Sequence, residues 1–180
     1  MILSNDVILD QINKAATLSI EAYKNGGKTI WAGNGGSAAD AQHLAGEMVS
    51  KFYFDRPGLP AIALNTDTSI VTAIGNDYGF DKLFSRQVQA NGKRGDIFFG
   101  ISTSGNSKNI VEALKLCREM GIVTVGFNGA KIGTMDELCD ICIKVPSPET
   151  PRIQEAHTLI GHIICYLVED AIFGELKPQE

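Results

Sequence analysis

Short apolar segments alternate with longer amphipathic segments along most of this chain, and that alternation constrains the fold more than any other feature. Segments such as DIFFGI and IVTVGF are apolar at nearly every position, as strands are when helices cover both faces of a sheet. Buried strands that alternate with helices are typical of parallel βαβ units. Five segments have this character: KTIWAG, LPAIALN, GDIFFGIS, IVTVGFN and CDICIKVP. We therefore predict an α/β fold of three layers, Rossmann-like, with a central, mostly parallel five-stranded sheet flanked by helices.

The length and punctuation of the chain indicate one domain. Its 180 residues are enough to bury a substantial core. An amphipathic pattern predicts an N-terminal helix over residues 6–25, and a long apolar pattern predicts a C-terminal helix over residues 152–173. Because the sequence contains no internal repeat, low-complexity tract or long linker, we expect a single domain over residues 1–180.

The charge and hydropathy of the chain exclude several classes of partner. The formal net charge is −5 and no basic patch interrupts it, so nucleic acid and anionic membranes are unfavourable partners. No segment approaches the roughly 20 apolar residues that span a bilayer, and the first residues do not resemble a signal peptide. We expect a cytoplasmic protein whose four cysteines are buried thiols. The lone pair Cys139-x-x-Cys142 leads into a strand, which disfavours a redox or metal site there.

A first glycine-rich turn follows the first predicted strand. Residues 33–38, GNGGSA, fit the G-x-G-x-x-[GA] pattern that places backbone amides against a ligand at a helix N-terminus. A tight turn without a ligand and a dinucleotide site are the alternatives. The acid that would bind a ribose falls near residues 52–55, before the next strand. We favour a site for a small polar molecule, because Asn34 and Ser37 add side-chain donors and acceptors.

A second turn, between a buried strand and a helix, carries a stronger signal. Residues 102–107, STSGNS, place four hydroxyl groups and one amide side chain in six positions. Phosphate oxygens accept several short hydrogen bonds, and a helix N-terminus adds unpaired N–H groups. The lysine of a nucleotide-hydrolysing P-loop is missing. Helix capping by Ser104 or Ser107 is the alternative, but capping explains one hydroxyl and not four. We therefore predict a phosphate site.

Two predicted helices carry residues that are able to bind a metal or transfer protons. His43 and Glu47 are four positions apart and so share one helix face. Alone, such a pair is more often a surface hydrogen bond. The C-terminal helix carries Gln154, Glu155, His157 and His162. Glu155 and His162 align best at helical spacing, whereas Gln154 and His162 differ by about 80° in direction, and spacing does not choose between them.

Several of these motifs, in this order and at these spacings, resemble a known family: GNGGSAADAQH, IGNDYGF, FSRQV, GISTSGNS and RIQEAHTLIGHII. Together they are similar to the SIS (sugar isomerase) domain, and more narrowly to the phosphoheptose isomerases. The likeness extends from the first helix to about Gly174. It implies an isomerase that converts sedoheptulose 7-phosphate to D-glycero-D-manno-heptose 7-phosphate, the first step toward ADP- or GDP-heptose precursors of lipopolysaccharide, capsule or glycoprotein. It further implies a homotetramer with sites at subunit interfaces.

The resemblance assigns roles to particular residues. It implies one zinc ion per subunit, held by His43, Glu47, Gln154 and His162, and it leaves His157 as a helix residue packed beside the core. Isomerisation through an enediolate needs a base and a second acid–base group, for which Glu47 and His162 are the candidates. Asp77 is the alternative base. The implied substrate-binding residues are Asn34, Gly35, Gly36, Ser37, Glu47, Asn76, Asp77, Ser102, Thr103, Ser104, Ser107 and Gln154.

The sequence departs from the family pattern at one position, and one of its motifs has an alternative interpretation. Family members often have an aspartate two residues before the Arg-Ile-Gln motif, and here that position holds Thr150. Glycine punctuation around Asn76 and Asp77 is also typical of an ordinary loop.

The alternative function is a non-catalytic SIS-domain regulator that binds a replication-initiator protein. Such regulators lack acid–base residues at the positions of Glu47 and His162, so the retention of both favours the enzyme.

Overall fold

Five parallel strands form the centre of the protein. The structure, a computed structural model, describes residue 2 and residues 4–178. The strands are ordered β2-β1-β3-β4-β5, and every neighbouring pair is parallel. This confirms the predicted α/β sheet. The strands are β1 (Thr29–Gly33), β2 (Ala61–Ala63), β3 (Ile97–Ile101), β4 (Val123–Asn128) and β5 (Ile141–Lys144).

Helices cover both faces of this sheet. They are α1 (Asp6–Lys24), α2 (Gly36–Val49), α3 (Thr68–Tyr78), α4 (Leu83–Asn91), α5 (Lys108–Met120), α6 (Met135–Leu138) and α7 (Thr150–Phe173), with short 3₁₀ turns at Phe80–Lys82 and Gly174–Leu176. Both predicted terminal helices are present. The last begins two residues earlier than predicted, because a proline in the first turn of a helix leaves no hydrogen bond unmade.

Two apolar clusters, one on each face, hold the layers together. On the face covered by α1, α2 and α7, the rings of Trp31 and Phe99 stack with their centroids 3.9 Å apart. On the opposite face, Phe98 packs with residues of α4 and α5, including Phe84 and Ile110. All residues of β1 and β3 are buried, since helices cover both of their sides. The continuous apolar runs in the sequence follow from that burial.

At Asn76 and Asp77, where an ordinary loop was the alternative interpretation, the structure has the helix α3. It runs through Asn76 and Asp77, so the glycine punctuation there did not break the chain. Its N-terminus is capped by Asp67, whose side chain accepts the N–H of Ile70 at 2.9 Å. It ends only at Gly79, whose φ of +83° favours glycine. None of its eleven residues is fully buried.

The order of the strands creates a crevice between β1 and β3. From β1 the chain passes through α2 to β2 on one side, and then returns to β3 on the other side of β1. The last residue of β1, Gly33, lies opposite the last residue of β3, Ile101. Open α/β sheets bind ligands at such a switch point, beyond the carboxyl ends of the strands. Both predicted ligand turns begin there.

Candidate active site

The two predicted turns lie side by side and are joined by a pair of amide hydrogen bonds. The side chains of Asn34 and Asn109 each donate to the other at 2.9 Å. Asn65, after β2, donates its side-chain N–H to the carbonyl of Gly33 at 2.8 Å. The Asn34 amide therefore has a protein partner, and its part in the site includes fixing the two turns relative to each other.

The second turn is built from hydroxyl groups that hydrogen-bond to one another. The Oγ of Ser102 lies 2.8 Å from the Oγ of Ser107 and 3.4 Å from that of Ser104. Gly105 turns the chain with a φ of +67°. Ser107 occupies the N-cap of α5, but its side chain makes no capping hydrogen bond. Ser107 therefore does not cap the helix with its side chain. Ser104, the other capping candidate, accepts the backbone N–H of Asn106 at 3.2 Å, just before α5. The hydroxyls of Ser102, Ser104 and Ser107 lie close together at this helix N-terminus.

The first turn is tight because its glycines meet other chain segments. A Cβ on Gly33 would come within 2.3 Å of the carbonyl oxygen of Ser37. Gly35 has a φ of +57° and precedes α2 without a capping side chain. A Cβ on Gly36 would come within 2.4 Å of the side-chain nitrogen of Gln154. Gln154 thus lies directly against the start of α2, which brings α7 to the first turn.

Further along α2, three ionisable side chains converge. His43 and Glu47 come from α2 and His162 comes from α7. The Nε2 atoms of His43 and His162 are 2.7 Å apart, and the Nε2 of His43 is 3.5 Å from a carboxylate oxygen of Glu47. One potential ligand atom from each of the three lies within 4.8 Å of the others. The His43 side chain is 46% exposed and that of Glu47 is 22% exposed, so a small molecule has access. Two nitrogens and one oxygen form a donor set that zinc accepts.

The structure separates the candidates on α7 that spacing left open. Glu155 is exposed and pairs with Arg152 at 2.9 Å, away from the cluster. His157 is fully buried, and its Nε2 lies 3.2 Å from the carbonyl oxygen of Asn128. Burial lowers the pKa of His157 to about 4, only partly opposed by that hydrogen bond. Its expected role as a helix residue beside the core is the one that it has.

Asn76 and Asp77 lie on α3, whereas the cluster is formed by α2 and α7. Both are exposed on α3, and the Asn76 amide donates to the Asp77 carboxylate at 2.8 Å. Within the part of the chain that the structure describes, neither hydrogen-bonds to the serine turn or to the histidines. Their predicted contact with substrate therefore stays a prediction.

Sequence reasoning missed the residues that support the site. Asn109 holds Asn34, and Asp40 accepts the Thr158 hydroxyl at 2.8 Å, which ties α2 to α7. Burial raises the pKa of the Asp40 carboxyl, while that hydroxyl and the nearby His43 lower it. These are contacts between distant segments, and no local pattern in the sequence marks them.

Comparison with known proteins identifies the family and matches this fold. The model of the SIS domain family matches residues 6–129, more than half of the chain. A phosphoheptose isomerase of Aneurinibacillus thermoaerophilus is 67% identical over 96% of this chain and 87% of its own length. Phosphoheptose isomerase 2 of Campylobacter jejuni is 64% identical over 97% of this chain and 87% of its own length.

A solved structure of a phosphoheptose isomerase has the same fold. The phosphoheptose isomerase of Neisseria gonorrhoeae superposes with a TM-score of 0.86 at 44% identity, covering 92% of this chain and 88% of its own. The chain therefore belongs to the SIS domain family and, within it, to the enzymes named phosphoheptose isomerase. Among the described helices, none combines the length and apolar character needed to cross a membrane.

Proposed function

We propose that this protein is a cytoplasmic isomerase that converts sedoheptulose 7-phosphate to D-glycero-D-manno-heptose 7-phosphate, the first step toward ADP- or GDP-heptose precursors. The observation that carries the proposal is the convergence of His43, Glu47 and His162 on helices that begin beside a hydroxyl-rich turn. The similar enzymes are named phosphoheptose isomerases, and these names support a phosphorylated heptose as the class of substrate. No contact in this site favours the alternative function, which is a non-catalytic regulator.

The serine turn would bind the phosphate end of the sugar. Ser102, Ser104 and Ser107 supply hydroxyl donors, Thr103 lies between them, and the first N–H groups of α5 have no partner inside their helix. The positive end of the helix dipole favours an anion there. The first turn, with Asn34 to Ser37, would hold the sugar hydroxyls between that phosphate and the cluster.

The cluster would carry out the proton transfers. The carbonyl of the ketose lies at the far end of the seven-carbon chain from the phosphate. His43 is seven residues beyond the start of α2, which is about 10 Å along the helix. There the Glu47 carboxylate would remove the proton from the carbon next to the carbonyl and return it to the neighbouring carbon. The His162 imidazole would move the proton between the two oxygens of the enediolate.

The same residues fit a metal. His43, Glu47, Gln154 and His162 would hold one zinc ion per subunit, because three of them already converge and their nitrogen and oxygen donors suit zinc. When bound, zinc supplies a positive charge that polarises the substrate oxygens. Glu47 then has two duties, as ligand and as base. Its second carboxylate oxygen leaves room for both.

The active form would be a homotetramer with sites at the subunit interfaces. The helix α3 buries none of its residues completely, and Ile70 and Tyr78 on it are exposed, as is the adjacent Phe80. On α7, Leu159 and Tyr166 are also exposed. Apolar side chains on helices that flank the site are suited to packing between subunits.

Direct conversion tests the proposal. The purified protein is incubated with sedoheptulose 7-phosphate, and the anomeric proton region of the NMR spectrum is followed for the aldose product. We expect the aldose to accumulate to an equilibrium with the ketose. Unphosphorylated sedoheptulose should react far more slowly, because the serine turn then binds nothing. A protein that leaves the phosphorylated ketose unchanged is not this isomerase.

A further inference from the structure

A buried ion pair lies behind the candidate active site. The Nε of Arg56, in the segment after α2, is 3.0 Å from the Oε1 of Glu169 on α7. Both side chains are only 1% exposed. Neither belongs to the converging cluster nor to the two ligand turns. Such a pair is costly to bury unless its remaining hydrogen-bonding groups are also satisfied. Here those groups bind the backbone beside the candidate active site.

Arg56 closes the C-terminal end of the helix that carries Glu47 and His43. Its Nη2 donates to the carbonyl oxygen of Glu47 at 2.8 Å. Its Nη1 donates to the carbonyl oxygens of Met48 at 2.6 Å and Ser50 at 3.1 Å. The last carbonyls of a helix have no partner within it. The guanidinium group therefore fixes the backbone of Glu47 itself.

Glu169 makes the matching contacts from the helix that carries His162. It lies seven residues, about two turns, beyond His162 on α7. Its two carboxylate oxygens accept the backbone N–H groups of Phe52 at 2.8 Å and Tyr53 at 2.7 Å. The ring of Phe52, held in this way, lies against the His162 imidazole with the centroids 5.3 Å apart.

We propose that Arg56 and Glu169 are positioning residues for the cluster, and that this ion pair sets the placement of Glu47 and His162 relative to each other. One end of the pair holds the Glu47 backbone, and the other end holds the aromatic ring against His162. The planar fork of arginine reaches carbonyls and carboxylate together, which the single ammonium group of a lysine cannot do. The kinetic part of this inference rests on the proposed isomerase activity.

The test compares two variants of the pair with a matched control. Arg56→Lys and Glu169→Gln keep the size of each side chain but remove the fork or the charge. The control is Asp96→Asn, which disrupts the ion pair of Lys28 with the buried Asp96, just before β1 and β3. Among the described residues, the Asp96 carboxylate hydrogen-bonds only to Lys28 and Lys93 and not to α2 or α7. All three variants should lose thermal stability. Only the first two should lose the geometry of the cluster.

Two readouts distinguish positioning from stability alone. In metal-free protein at pH 8, the ring protons of His43 and His162 should give a mutual nuclear Overhauser effect, and the chain has only three histidines to assign. We expect that effect in the wild type and Asp96→Asn, and its loss in Arg56→Lys and Glu169→Gln. The kcat should fall by ~10- to 100-fold in these two variants, as misplaced catalytic groups do, while KM changes by less than ~3-fold.

The possible results distinguish a positioning role of the ion pair from a purely structural one. Normal kcat and an intact histidine contact in both variants, with only a lower Tm, would show that the pair is structural and overturn the proposal. If the single variants do not fold, the apolar double variant Arg56→Met with Glu169→Leu replaces them, since apolar replacements of buried pairs often fold. That variant should fold and still lack the histidine contact. If the wild type lacks isomerase activity, the proposed function fails, and the histidine contact alone decides the positioning.

Discussion

His43 and His162 are 119 residues apart in the sequence, yet their Nε2 atoms are separated by 2.7 Å. Their neighbours explain this approach. A Cβ on Gly161 would come within 2.4 Å of Leu44, so the missing side chain lets α2 and α7 pack closely just where the two histidines stand. At that distance one imidazole donates and the other accepts, so at least one of the pair is neutral. A neutral imidazole is the form that binds a metal or accepts a proton.

Removing hydroxyls from the serine turn should weaken substrate binding. In the double variant Ser102→Ala with Ser104→Ala, we expect an unchanged fold and an affinity for the sugar phosphate that is at least ~10-fold lower, since hydrogen bonds to a charged group are lost. Titration calorimetry measures the affinity. The control is Thr17→Ala, which removes an exposed hydroxyl on α1. Binding as tight as that of the wild type would place the phosphate elsewhere.

Glu47→Gln should abolish proton abstraction and leave substrate bound. The amide keeps the size of the carboxylate but is not basic, so turnover should fall by ~100-fold or more. In D₂O the wild type should exchange one hydrogen at the carbon beside the carbonyl, and the variant should not. The control is Glu155→Gln, an exposed acid on α7. Exchange that continues in Glu47→Gln would move the base to Asp77 or His162.

Metal analysis after gentle purification should find close to one equivalent of zinc per subunit. His43→Ala and His162→Ala each remove one nitrogen from the converging set and should lower the bound zinc well below that value. Arg152→Ala, at the exposed start of α7, is the control and should retain the metal. Full activity in the presence of a chelator, with no metal found, would leave these histidines as hydrogen-bonding groups only.

Light scattering should report a homotetramer at micromolar concentration. The exposed apolar residues of α3 and α7 would provide the surface for the contacts between subunits. Replacing Phe80, 59% exposed, by Glu should shift the distribution toward smaller species, because a charge would then be buried at an interface. The control is Ile132→Glu, a change at a residue that is 87% exposed in the loop after β4. A wild-type monomer would end the assembly proposal.

His157 should make the protein less stable in mild acid. Burial lowers its pKa from 6.5 to about 4, so the folded state binds a proton more weakly than the unfolded state does. The stabilisation is complete above pH 6.5 and is lost as the pH falls toward 4, at about 1.4 kcal/mol per pH unit and about 3 kcal/mol in total. Denaturation at several pH values should show this slope in the wild type. His157→Gln should lack that part of it, and an identical slope would contradict the assignment.

The sequence predicted the sheet, both ligand turns and the terminal helices, because those features depend on local patterns. Strand burial and helix periodicity are visible in any short window. The glycines near Asn76 and Asp77 left an ordinary loop as an alternative there, and the structure has helix instead, because Gly75 is tolerated inside a helix.

The geometry of the site could not be predicted from patterns within single segments of the sequence. Along α7, Glu155 and His162 align best at helical spacing, but spacing alone left the candidates open, and in the structure Glu155 is exposed to solvent. Which face of a helix meets its neighbour is decided by packing, here by Leu44 against Gly161. The resemblance to a family selected Gln154 and His162 instead. The reciprocal amides of Asn34 and Asn109, 75 residues apart, left no trace in either segment.

The hydroxyls of the serine turn are partners for one another. The Oγ of Ser102 lies within hydrogen-bonding distance of the Oγ atoms of both Ser104 and Ser107. An incoming phosphate must exchange these internal bonds for its own and does not simply add new ones. We therefore expect each hydroxyl to contribute less net binding free energy than an isolated donor would. Such a turn releases its product readily, which suits a catalyst that must work in both directions near equilibrium.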